Sequence, residues 1–207
     1  MKNLFAAIAV AAAVLAPLSA SAERADSLKP VNIEYDKADI DQVNQTYIAT
    51  GNVIITRGTM VLKGDRAEVK EAPDGYRTFI LTAAPGKLAT FRQKRDGGPD
   101  LWAEGQAQRI EYDERADVIK LFSKAVIKQL EGKKITQEMD SEFISYDSRK
   151  EVLLGRNDAN GADKQGAGRG SMTFAPRRAP AAGAAATPAP AQAPAPAPTP
   201  GAPAGKQ

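Results

Sequence analysis

Between residues 23 and 155, apolar and polar side chains alternate with a period of two almost without a break. That is the period of a strand, whose side chains point in turn to two faces, and no window sustains the 3.6-residue stripe of a helix. One phrase recurs: Ile33-Glu34-Tyr35-Asp36, Ile110-Glu111-Tyr112-Asp113 and Ile144-Ser145-Tyr146-Asp147. Each copy puts Ile and Tyr on one face and Glu or Ser on the other. Each then stops at an Asp, a residue that caps its own backbone where a strand turns. Three copies predict a sheet of similar rungs turned toward one interior.

The alternation breaks into short strands separated by turn residues. Thr50-Gly51-Asn52, Lys63-Gly64-Asp65, Asp96-Gly97-Gly98 and Glu131-Gly132 all read as turns between separate strands. The first strand is placed at 31–35 and the last at 151–154. Residues 133–141 are the one stretch compatible with a short helix, but Ile135 and Met139 are too sparse to hold one. Parity puts Val31, Ile33 and Tyr35 on one face. It likewise groups Val53 with Ile55, Met60 with Leu62, Ala89 with Phe91, Ile110 with Tyr112, and Ile144 with Tyr146. Val118 joins Leu121 only if a bulge shifts its phase. Ile54 and Val61 fall on the outer face, as surface strand formers. Strands this short suit two sheets packed face to face or a slab of stacked rungs. Such a slab has two edges, at Val31, Ile33 and Tyr35 and at Val152, Leu153 and Leu154. Lys29 and Pro30 beside one, and Arg149 and Lys150 beside the other, either guard these edges or flank a surface meant to pair with another copy.

Residues 1–22 read as a signal peptide: Lys2, an apolar run from Leu4 to Leu18, then Ala20-Ser21-Ala22 before a mature start at Glu23. The mature protein is therefore expected to be exported and soluble. Residues 23–155 form one domain. Residues 156–174 are a Gly- and Asn-rich linker in which Ser171-Met172-Thr173-Phe174 either docks as a last strand or does nothing. Residues 175–207 are an Ala/Pro-rich tail with no acidic or aromatic residue, too poor in buriable surface to fold, and so expected to be disordered.

Chemistry is bounded by what is absent. The chain has no Cys and no His, which excludes a disulfide staple, a thiol nucleophile, a Ser-His-Asp triad and a structural zinc site. The net charge of +3 also misleads, because Lys2, Arg177, Arg178 and Lys206 lie outside the segment that holds every acidic residue. Within it, 24 basic residues face 25 acidic ones, a balance of −1 that gives no footprint for nucleic acid. The carboxylates Asp36, Asp113 and Asp147 sit at turns, and Glu34 and Glu111 on the solvent face; no pair converges as in a glycosidase. Asp65-Arg66-Ala67-Glu68 and Asp140-Ser141-Glu142 fit no calcium loop. Trp102 is equally a plug at one end of the core or a stacking surface for a ligand. The cluster Arg92-Gln93-Lys94-Arg95 is a solvated loop or a contact for an anionic head group.

A longer set of phrases points to a family. Thr50-Gly51-Asn52-Val53-Ile54-Ile55-Thr56-Arg57-Gly58-Thr59, then Leu62-Lys63-Gly64-Asp65-Arg66-Ala67, resembles the signature of the OstA-like domain family. Pro85-Gly86-Lys87-Leu88-Ala89-Thr90-Phe91, Glu104-Gly105-Gln106-Ala107 and Ile110-Glu111-Tyr112 fit it in order. The resemblance covers residues 27–155. It implies a twisted, open, all-β jellyroll in the periplasm that binds lipopolysaccharide by the acyl chains of lipid A, uses no cofactor and catalyses no reaction. It also implies copies that stack head to tail by strand pairing, between an inner-membrane export complex and an outer-membrane translocon. Val31, Ile33, Phe91 and Tyr112 match positions that meet lipid in the family; Val53, Ile55, Leu62 and Ile110 are lining candidates by parity alone. The Ala/Pro tail departs from the family pattern. Two rival expectations stand beside this one: a structural scaffold with a dry core, and a carbohydrate-binding or carbohydrate-active periplasmic protein.

Overall fold

The computed structural model describes residues 26–166 and 168–176. The expected signal peptide, residues 1–22, and residues 177–207 of the expected Ala/Pro-rich tail lie outside the described residues. Among these residues are twelve strands, all antiparallel: β1 (Val31–Glu34), β2 (Lys37–Asp41), β3 (Thr46–Arg57), β4 (Met60–Glu71), β5 (Arg77–Thr82), β6 (Ala89–Lys94), β7 (Leu101–Ala107), β8 (Arg109–Asp113), β9 (Val118–Glu131), β10 (Lys134–Asp147), β11 (Val152–Arg156) and β12 (Ser171–Phe174). The all-β fold expected from the alternation is what forms, as the jellyroll that the resemblance implies.

Four strands are longer than their sequence suggests. β3, β4, β9 and β10 run for 12 to 14 residues and belong to two layers each. β3 pairs with β2 through residues 46–50 and with β1 through residues 54–57. β4 pairs with β6 through residues 61–63 and with β5 through residues 66–71. β9 pairs with β8 through residues 118–122 and with β7 through residues 126–131. β10 pairs with β12 through residues 137–140 and with β11 through residues 143–147. One layer is thus bounded by β2 and β11, the other by β1 and β12. The long strands cross between the layers at mid-length, and most of the hairpin turns lie at the far ends of the strands.

The crossing points correct several expectations. Gly51-Asn52 is a kink inside β3 rather than a turn: φ is +80° at Gly51 and +43° at Asn52, and the register shifts there. A side chain at Gly51 would collide with the Asp36 carboxylate, which accepts a 3.0 Å bond from Asn52 Nδ2. Gly64 likewise lies within β4. In β9 the bulge falls at Ser123 and Lys124, with φ of +61° and +53°, beyond Leu121. Alternation is unbroken from Val118 to Leu121, so Ile119, not Val118, faces inward with Leu121. Residues 133–141 are not helical; most of them form the first part of β10. Tyr35 lies just beyond β1 and is 49% exposed. The last strand is β12, so Ser171-Met172-Thr173-Phe174 does dock, on residues 137–140 of β10.

The core lies between the layers. Ala49, Val69, Phe79, Leu81, Ile110, Tyr112, Ile119, Leu121, Ile144 and Tyr146 face inward from one, and Val53, Ile55, Leu62, Ala89, Phe91, Ala103 and Ile127 from the other. Burying each large apolar side chain contributes roughly 1.5–3 kcal/mol. Phe91 and Tyr146 stack across the layers with ring centroids 6.2 Å apart, and Phe79 and Tyr112 stack on adjacent strands at 5.8 Å. The terminal Asp of the repeated phrase behaves as expected in two copies: Asp113 Oδ1 accepts from the amides of Arg115 and Ala116, and Asp147 Oδ1 from that of Lys150.

Candidate functional site

The interior opens at the β1–β2 end. These two strands leave β3 into different layers, and between them lies an apolar cavity of about 320 Å³. Val31, Ile33, Tyr35, Ala38, Ile40 and Tyr47 form its walls, and Ala49, Val69 and Phe79 lead from it into the core. Glu71 and Arg77 are its charged residues. Exposed Tyr35 and Ile40 give this end an unpartnered apolar rim, and exposed Val152, Leu154, Met172 and Phe174 do the same at the β11–β12 end. Strand edges with apolar side chains are templates for pairing.

The sequence-derived lining residues divide into two groups. Val53, Ile55, Leu62 and Ile110 are fully enclosed, as are Phe91 at 2% exposure and Tyr112 at 1%. Val31 and Ile33 are half-buried at the end cavity. Of the edge residues, Val152 and Leu154 are exposed while Leu153 packs on the core. Parity over residues 78–82 carries the signal for Phe79 and Leu81, and Tyr47 and Ile40 share the alternation, yet parity alone gives none of them a site role.

A polar seam, invisible to alternation, ties the layers together along the side that carries most of the hairpin turns. Arg57, at the end of β3, donates through Nη1 to the Tyr112 hydroxyl at 2.6 Å, and that hydroxyl donates to Asp117 at 2.8 Å. Arg57 also binds the carbonyls of Lys29 and Ser27 and lies 3.5 Å from Glu114. Arg77 grips Glu114 with Nε and Nη2, at 3.0 and 3.1 Å, which holds its guanidinium pKa above the ordinary value. Arg149 pairs with Asp117 at 3.3 Å. Burial, and then the negative charge of Asp117, push the Tyr112 phenol above its ordinary range. A second bridge, Arg95 to Glu151 at 2.7 Å, joins the β6–β7 turn to the residue before β11.

The basic cluster of the sequence is thereby dispersed. Arg92 points outward, pairs with Glu104 and stacks on Trp102 at 4.1 Å; Gln93 is buried; Arg95 turns to Glu151. Trp102 is neither plug nor free platform, since its Nε1 donates to Asp100 at 3.0 Å under the Arg92 guanidinium. Among the described residues no cluster of carboxylates could hold a metal ion.

The sequence model of the family described as "LptA/(LptD N-terminal domain) LPS transport protein" matches residues 32–152. The chain belongs to this family. The matched span runs from β1 into the start of β11 and leaves β12 outside. The chain is 30% identical over 155 residues to the lipopolysaccharide export system protein LptA of Haemophilus influenzae, covering 75% of this chain and 84% of that protein. It is 33% identical over 125 residues to the LptA of Escherichia coli, covering 58% and 66%. The fold is similar to the crystal structure of LptH from Pseudomonas aeruginosa, described as the LptA homologous periplasmic component of the lipopolysaccharide transport device. The TM-score is 0.62 at 20% identity, over 73% of this chain and 99% of that one. At that identity the likeness is one of fold alone.

Proposed function

We propose that this protein carries lipopolysaccharide through the periplasm, taking the acyl chains of lipid A between its two layers. The observation that carries this reading is an interior that is apolar along its length and opens at the β1–β2 end onto a cavity lined by Val31 and Ile33. From that mouth the chains run past Phe91 and Tyr112, with Val53, Ile55, Leu62 and Ile110 as walls. Each methylene removed from water contributes roughly 0.8 kcal/mol. Enclosing several whole chains would therefore hold a moving cargo too tightly, and part of the lipid stays wet or shared with the next subunit. Copies stack head to tail, the β1–β2 end of one against the β11–β12 end of the next, and the stack links the inner-membrane export complex to the outer-membrane translocon. No reaction is catalysed. Four of the five carboxylates of the repeated phrase are engaged: Asp36 accepts from Asn52, Glu111 pairs with Arg109, Asp113 caps its turn, and Asp147 pairs with Lys150.

Photo-crosslinkers at Ile33, Phe91 and Tyr112, in cells making lipopolysaccharide, are expected to give lipid adducts. Absence of adducts at all three positions overturns the reading. One observation favours a scaffold with a dry core instead: the interior is filled by its own side chains. Under that alternative the three probes stay silent while the oligomers persist.

A further inference from the structure

A filled interior sets a mechanical condition. Phe91 and Tyr112 are enclosed, so an acyl chain reaches them only if the layers part. They cannot part along the side where β3, β4, β9 and β10 run unbroken from one layer to the other. They can part only on the turn side, where side chains hold them together. Among the described residues an Arg57 bridge and an Arg95 bridge span that side, and they differ in how well they are tied.

The Arg57 bridge is fully engaged. Its guanidinium contacts the Lys29 and Ser27 carbonyls, the Tyr112 hydroxyl and Glu114, while Arg77 and Arg149 secure the carboxylates around it. The Arg95 bridge is a single contact. Arg95 Nη2 meets Glu151 Oε2 at 2.7 Å, while Arg95 Nε and Glu151 Oε1 are buried with no partner, as is Oε1 of the enclosed Gln93. A guanidinium and a carboxylate favour a two-bond fork. This pair makes one bond and leaves two polar atoms desolvated without compensation. Glu151 is also held at a φ of +53°, a region costly for a residue with a side chain. All the imperfect polar pairing recorded among the described residues is gathered at this point of the turn side. Parting the layers here returns water to three stranded atoms and relaxes Glu151. Parting them at Arg57 breaks a satisfied network.

We infer that the Arg95–Glu151 pair is a latch: the seam between the layers opens there first to admit an acyl chain, while the Arg57–Tyr112 network, on the same side, stays closed as the anchor. This rests on the lipid-carrying reading proposed above.

The chain has no cysteine, so an Arg95→Cys, Glu151→Cys pair gives a unique clamp site. The probe is purified lipopolysaccharide, and the readout is the rate of adduct formation by a photo-crosslinker at Phe91. Bridging the two cysteines with a short bis-maleimide should abolish adducts, while a monofunctional maleimide should leave them fast. Glu151→Gln, which removes the charge and keeps the shape, should raise the rate about fivefold or more. Lys150→Ala, at an exposed pair, should leave it unchanged. If the unclamped protein forms no adduct, the lipid reading fails. If it does, and the clamp and Glu151→Gln leave the rate unaltered, the latch is overturned while the lipid reading stands.

Discussion

The Tyr112 hydroxyl accepts a hydrogen bond from Arg57 on the opposite layer and gives one to Asp117 on its own. The ring of the same residue stacks on Phe79 in the core. One side chain thus joins the apolar interior to the polar seam. Tyr112→Phe keeps the ring and removes the bridge, leaving a buried guanidinium and a buried carboxylate each short of a partner. The expected loss of stability is about 1–3 kcal/mol, read as a lowered urea midpoint. An unchanged midpoint would show the seam to be dispensable for folding.

The same residue predicts a pH dependence. Burial raises the Tyr112 phenol above its ordinary value of 10.0, so the folded state keeps the proton after the unfolded chain has begun to lose it. The stabilisation is complete below the unfolded value. It is lost as pH rises from there toward the folded value. Denaturation midpoints of the wild type should fall above about pH 10, and the Tyr112→Phe protein should lack that component. Parallel slopes for the two proteins would refute the assignment.

Gly105 in β7 is required by a close approach. A Cβ there would stand 2.5 Å from Phe91 Cε1 and 3.2 Å from Leu121 Cδ2. Phe91 would have to leave its place against Tyr146. Overpacking of this kind costs roughly 1–3 kcal/mol, so Gly105→Ala should lower the melting temperature by several degrees. A melting temperature equal to that of the wild type would mean that the Phe91 ring yields freely.

Alternation made the layers legible, because a half-buried strand shows its parity residue by residue; hence Ile55, Leu62, Phe91, Ile110 and Tyr112 all face inward as read from sequence. It did not show that strands continue through Gly51-Asn52 or Ser123-Lys124. A kink with positive φ uses the residues of a turn, and only the pairing on both sides distinguishes the two. The seam was hidden for a different reason. Arg57, Glu114, Asp117 and Glu151 lie at strand ends and turns, where charge reads as solvated, and their partners are up to 56 residues away in sequence. Docking of β12 is not legible in the sequence, because four residues after a Gly-rich stretch carry too little pattern to decide it.

The end-to-end stacking proposed above would use the free side of β11, which pairs with β10 alone. Successive amides in a strand point to opposite sides, so of Leu153 and Leu154 one donates toward β10 and the other outward. Proline removes a donor without adding a charge. Of the two single variants Leu153→Pro and Leu154→Pro, one should unfold the β10–β11 pairing and lower stability. The other should keep the fold and reduce light scattering to that of a monomer, because proline is tolerated on an edge whose amide faces solvent. Oligomers that persist in the variant with unaltered stability would show that copies join elsewhere, and the exposed edge of β12 would then be the surface to test.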